Sequence, residues 1–355
     1  MGHREGLAPR GLRARWELRE DGLGQRLFDR WEQGTRVRVK RNPNYWRLGD
    51  DRQPLPYVDS LDALVISDPA THVAALRAGQ LDFAGITGIT STQVGPLRGV
   101  RGLNLIPGHP MFVGIVAFNH SVKPLDDVRV RKALLQGMDI RFLMRNALQA
   151  PDMPLESFVY SVAPKDLTYP QDKLEKIFTR DVAAAKQSLA AAGLGSGLKL
   201  ELLIVFNRPP YPQEAALLKQ QWAEIGVDLS LATGTDIETN VRYREGRYQL
   251  MVWTQNLLGD AVTMLDTQWK TGASRNFFRY SNPRADQVIA DAKREFDRAR
   301  LKQLLDRAQD LLWDDVAGIP ISPGLNYQVQ WEWLKGYVNQ YAWGNQGLKF
   351  AWSDR

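Results

Sequence analysis

The sequence contains no cysteine. That removes thiol nucleophiles, iron–sulfur clusters, thiolate zinc sites and disulfides together. It leaves the compartment open, because a chain without thiols is equally at home in oxidising and reducing surroundings. No apolar run approaches the roughly 18 residues that a membrane-spanning helix needs. A secretory signal would need a basic start followed by an apolar stretch of about 7–15 residues. Residues 1–24 (MGHREGLAPRGLRARWELREDGLG) have the arginines without the stretch, so no export signal is expected. Histidine is scarce: His3, His72, His109 and His120 are scattered, none three or four residues from another, and neither a metal nor a cofactor is expected. No GxSxG elbow occurs. The acid pairs Asp126–Asp127 and Asp314–Asp315 mark helix ends instead of two carboxylates facing one cleft. The GLGSG stretch at Gly193, Gly195 and Gly197 follows a helix and precedes a strand, the reverse of a dinucleotide loop, and reads as a helix end with a turn. An enzyme is therefore not expected.

What is present is a globular composition: 355 residues, 44% hydrophobic and 24% charged. Such a chain buries enough apolar surface to exclude uniform disorder. The formal charge of +6 would fit a nucleic-acid partner, but it is concentrated at one end. Residues 1–41 carry eleven Lys+Arg against six acids, and the other 314 residues carry 35 against 34. The body of the protein is nearly neutral.

Residues 1–34 read as an irregular basic lead. From Thr35, Val37 and Val39 alternate with Arg36, Arg38 and Lys40, a half-buried strand that ends at Asn42-Pro43-Asn44. A strand over 61–67, a helix capped by Asp68 and closed by Gly79, and a strand over 81–84 follow. Residues 111–118 form the next apolar run, then come helices opened by Asp127 and Asp139 and a long loop over 150–172. From Asp181 the alternation resumes: a helix to Gly193, strand 198–206, helix 212–225, strand 227–231, a short helix from Asp236 and strand 248–253. Helices over 284–296 and 298–316, strand 319–322 and a Trp-rich end complete the chain. Two sets of strand–helix units predict two α/β lobes. Of the 11 tryptophans, Trp331, Trp333, Trp343 and Trp352 lie in the last 25 residues, where they serve either core packing or a ligand pocket.

Several motifs in order resemble one family. RNPNYW (41–46), PYVDSLDALVISDPATHVAALRAGQLDFA (56–84), AFNHSVKPLDDVRVRKALLQGMD (117–139), DVAAAKQSLAAAGL (181–194), NFFRYSNPRADQVI (276–289) and IPISP (319–323) resemble the solute-binding proteins of ABC importers for oligopeptides, dipeptides and nickel, the extracellular solute-binding family 5. The resemblance implies an α/β, two-lobed periplasmic-binding-protein (clam-shell) fold with mixed sheets, closing on ligand about a hinge. It places 35–125 in the first lobe, 126–338 in the second, and 339–355 back in the first. Family members carry an export signal and further chain before the RNPNYW motif, which here starts at Arg41, so an N-terminally truncated chain with an incomplete first lobe and an exposed sheet edge is expected.

In peptide-binding members, an Asp shortly after a strand-end Trp meets the peptide ammonium. Here the matching segment is Trp253-Thr254-Gln255-Asn256, so Asn256 brings an amide where a charge would be, and Asp260 is the nearest carboxylate. The ligand-binding set expected from the resemblance is Trp253 as a wall, Gln255 and Asn256 as hydrogen-bonding groups, Asp260, and Asn207 and Tyr211 at the same mouth. The function so implied is capture of a peptide or related small solute and delivery to an ABC importer permease. The protein would be a periplasmic monomer that meets the membrane only through that permease and binds no nucleic acid. The alternatives are a nucleic-acid or acidic-surface binder acting through the Arg-rich start, and a non-functional truncated product.

Overall fold

The computed structural model describes residues 24–84, 89–90, 92–107, 112–149, 154–159, 164–195, 197–206, 210–256, 260–323, 326–337 and 348–354. They divide into two compact units, one containing the chain up to Gly108 and from Asn326 onward, the other His109–Leu325.

The first unit opens with an antiparallel sheet, β1 (Arg26–Glu32), β2 (Arg36–Arg41) and β3 (Ser60–Leu64), with β2 central. Strand β1 replaces the irregular chain expected over 26–32; residues 1–23 of the expected lead lie outside the described residues. A register shift between Phe28 and Arg30 breaks its alternation, which hides the strand in the sequence. Four basic side chains of this sheet face acids: Arg38 to Asp62, Arg30 to Glu32, Lys40 to Asp29 and Arg41 to Asp59. Helix α1 (Pro69–Arg77) starts where Asp68 accepts from the Thr71 amide at 2.7 Å and ends at Gly79, whose φ of +68° suits glycine. The strand expected over 81–84 is reduced to one bridge between Phe83 and Gln330, with the Ala84 amide donating to Val329. Short strands β4 (Ile89–Thr90) and β5 (Leu103–Pro107) follow.

The second unit is built on β6 (Phe112–Phe118), α2 (Val128–Gln136), α3 (Ile140–Ala147), α4 (Gln171–Ile177), α5 (Val182–Ala191), β7 (Leu198–Val205), α6 (Tyr211–Ala223), β8 (Val227–Gly234), α7 (Asp236–Glu245), β9 (Leu250–Asn256), α8 (Ala261–Gln268), α9 (Pro283–Ala292), α10 (Arg298–Asp314) and β10 (Gly318–Pro323). Its sheet runs β10-β6-β9-β7-β8. Strands β7, β8 and β9 are parallel, and β6 is antiparallel to both β9 and β10. The sheet is therefore mixed. Fully buried Phe118, Leu134, Trp222, Trp269 and Phe278 anchor its core. Helix α4 starts at Gln171, at the end of the stretch expected as loop over 150–172, and runs beyond it through residues to which no element was assigned. Gly193, at φ +77°, and the Leu194 amide donating to Leu189 close α5, as a helix end requires.

The chain then returns to the first unit as β11 (Asn326–Trp331), β12 (Leu334–Lys335) and β13 (Trp352–Ser353). Strand β11 lies between β4 and β5. Trp331 and Trp333 stack at 4.4 Å; their indole N–H groups donate to the Leu76 carbonyl at 2.9 Å and Asp82 Oδ1 at 2.8 Å. Both serve packing. Trp343 lies outside the described residues. The contact division thus falls near residues 108 and 325, whereas the resemblance draws it at 125 and 338. Strand β6 accounts for the first difference, since its ladder to β9 runs seven residues, and β11 for the second.

Candidate functional site

In an open α/β sheet, ligands are held at the carboxyl ends of parallel strands, where neighbouring connections leave to opposite faces. Strands β7, β8 and β9 end on one rim and feed α6, α7 and α8. Right-handed crossovers in opposite directions across the sheet place α6 and α7 on opposite faces. Glu201 of β7 pairs with Arg242 of α7 at 2.7 Å on the α7 face.

The helix starts set the rim's chemistry. Helix α7 has a capping box: Thr235 Oγ1 accepts from the Glu238 amide at 3.3 Å, and Glu238 Oε2 accepts from the Thr235 amide at 2.8 Å. The Thr235 backbone and hydroxyl bonds hold the Glu238 carboxyl below its usual range. Asp260 caps α8, accepting from the Val262 amide at 2.8 Å, the Thr263 amide at 3.0 Å and the Thr263 hydroxyl at 2.8 Å. Partial burial opposes its charged form, but these bonds prevail and its pKa is lowered. Helix α6 has no side-chain cap; Glu214, fully buried, stands in its first turn, where the helix dipole favours negative charge.

Of the residues nominated from the sequence, Trp253 is half-buried on β9, opposite Ile115 of β6, with its ring 5.1 Å from Tyr243. Tyr243 also meets Phe277 at 5.1 Å and Tyr248 at 5.5 Å, so Trp253 is backed by an aromatic cluster. Gln255 and Asn256 close β9, paired in register with Val113 and Phe112. Asp260 is exposed at the start of α8, four residues beyond Asn256 in sequence. Tyr211 opens α6 but is only 5% exposed, packed in the core. Asn207 lies outside the described residues. Sequence reasoning did not single out Phe206, the capping box or Glu214. The signal for Glu214 is an acid in the first turn of a helix. Among the described residues, no group of three or more His, Asp or Glu could hold a metal ion. No described helix is long and apolar enough to cross a membrane.

Asp260 allows its two roles to be separated. Asp260→Ala is expected to cost about 1 kcal/mol through the lost cap, whereas Asp260→Asn keeps a capping oxygen and costs a few tenths. Thermal denaturation of the two variants checks this. Equal losses would show that the cap contributes nothing.

Comparison with known proteins fits this architecture. The chain is 26% identical over 321 residues to di/tripeptide-binding protein 1 of Pseudomonas aeruginosa, covering 86% of this chain and 56% of that protein. It is 23% identical over 337 residues to the dipeptide-binding protein of Escherichia coli, covering 92% and 60%. The chain thus spans little more than half the length of these curated relatives. Among solved structures, the periplasmic binding protein DppA of Helicobacter pylori, in complex with the peptide STSA, superposes with a TM-score of 0.80 at 18% identity over 98% of this chain and 68% of that one. AgaA of A. tumefacien R10, in complex with agropinic acid, gives 0.81 at 17% identity over 98% and 71%. These likenesses establish the fold of two-lobed periplasmic binding proteins. The model of the bacterial extracellular solute-binding proteins, family 5 (middle), matches residues 22–276, and the chain belongs to that family.

Proposed function

We propose that this chain is the substrate-binding component of an ABC importer, which captures a peptide or related small solute and delivers it to a membrane permease. Membership of a solute-binding family carries the reading, together with a rim that gathers helix starts and an aromatic wall beside the end of β9. In this reading the protein acts outside the cytoplasm as a monomer. Trp253 walls the ligand, Gln255 and Asn256 hydrogen-bond it, and Asp260 supplies the nearest negative charge at the rim. Asn207 and Tyr211 complete the set, Tyr211 from behind through packing. Of the arginines in the basic lead over 1–34, only Arg26 and Arg30 lie among the described residues; Arg30 pairs with Glu32 and Arg26 donates to the Val58 carbonyl, and neither favours the nucleic-acid alternative.

The test is thermal denaturation and calorimetry with Ala-Ala, Ala-Phe, Ala-Ala-Ala and glutathione. Occupancy at about 100 times Kd adds about 2.7 kcal/mol, a rise of about 5 °C or more in Tm. Absence of both shift and heat with every compound would reject the peptide reading.

A further inference from the structure

We infer that Phe206 is a ligand-contacting, specificity-determining residue that favours a peptide with a large apolar side chain. This rests on the peptide reading of the rim given above.

Along β7, residues two apart share a face, and Leu198, Leu200, Leu202 and Ile204 on that face are 6%, 2%, 0% and 3% exposed. Phe206 is the next position in the series and is 53% exposed. Its amide donates to the Gly234 carbonyl at 3.3 Å, the bond that closes the last β7–β8 pair, Val205 with Gly234, and ties its backbone to the rim. A large apolar ring held in water at the carboxyl end of the sheet's central parallel strand is placed where the crevice rule puts ligand.

Other exposed apolar residues lack that position. Phe296, 96% exposed, lies in the turn between α9 and α10, and Trp46, 69% exposed, belongs to the first unit. Ile237, 79% exposed, is on the side of α7 away from the buried Thr239 and Tyr243. None of them ends a parallel strand. The chemistry Phe206 offers is contact area without charge, so it discriminates by apolar size.

Calorimetry of wild type, Phe206→Ala and Phe206→Trp with Ala-Phe and Ala-Ala tests this. Phe206→Ala is expected to weaken Ala-Phe binding about ten-fold while changing Ala-Ala by less than about two-fold, and Phe206→Trp to keep the preference. Because the ring is exposed, Tm without ligand should move by no more than about 2 °C. If wild type binds the dipeptides and Phe206→Ala weakens neither, or both equally, the inference fails and the peptide reading stands. If wild type binds neither dipeptide nor the longer peptides above, the peptide reading fails and takes the inference with it.

Discussion

Replacing Arg131 by methionine is expected to destabilise the second unit by about 3–5 kcal/mol. Arg131 lies on α2, 4% exposed, and its guanidinium serves three backbone carbonyls. Nη1 donates to Leu125 at 2.7 Å, Nε to Asp315 at 3.0 Å and Val316 at 3.2 Å, and Nη2 to Asp315 at 2.7 Å. Asp315 and Val316 finish α10, where unpaired carbonyls and the negative end of the helix dipole attract a cation. Val316 adopts φ +44°, an uncommon conformation for a β-branched residue, and the Ala317 amide donates back to Leu312. The arginine therefore holds a strained turn that leads directly into β10. Methionine fills similar space but leaves the carbonyls without donors. Lysine would restore the charge without the planar fork and should recover only part of the loss. Urea denaturation measures both variants, and an Arg131→Met midpoint within 1 kcal/mol of wild type would contradict this account.

The buried arginine shows where sequence reasoning reaches its limit. Helix starts are legible because a cap is a local device. Asp127, Asp139 and Asp181 each accept from an amide two or three residues ahead, as their positions imply. Helix α4 is not legible because Pro170 provides no side-chain cap and only Leu174 of its seven residues is buried. Strands β4 and β5 gain definition by pairing with β11, more than 200 residues later in the chain, a contact that no local pattern records. The rim could be anticipated, because strand–helix order alone puts residues after β7 and β9 at one edge. The burial of Tyr211 could also have been read: Tyr211, Ala215, Leu218 and Trp222 form one buried stripe on α6. Arg131 is not legible either, since two of its three carbonyl partners, Asp315 and Val316, lie 184 and 185 positions away in sequence.

Stability of the second unit is also expected to decline as pH falls from 6.5 toward 4, by roughly 3 kcal/mol from one residue. His120 lies 5.4 Å from Tyr280 and 6.4 Å from Phe118 in edge-on contacts, with Nε2 2.9 Å from the Ala317 carbonyl. Burial first, and the Arg131 cation second, lower its pKa from 6.5 to about 4; the Ala317 carbonyl and Asp315 oppose the change without reversing it. Between those values the unfolded chain binds a proton that the folded one refuses. The stabilisation is therefore complete above pH 6.5, shrinks as pH falls, and is gone near pH 4, where both states are protonated. Capping carboxylates such as Asp127 and Asp260, whose pKa values are lowered, lose their contribution only below the ordinary Asp value of 3.8. His72, also lowered by burial, acts in the same direction but in the first unit. His120→Gln keeps an N–H donor for Ala317 and cannot titrate, so denaturation of the second unit should become nearly flat between pH 6.5 and 4.5. An unchanged slope in that variant would remove His120 as the cause. Arg131→Met tests the same account from the other side: without the neighbouring cation, His120 should titrate closer to 6.5, and the pH dependence of the second unit should shrink even as its overall stability falls.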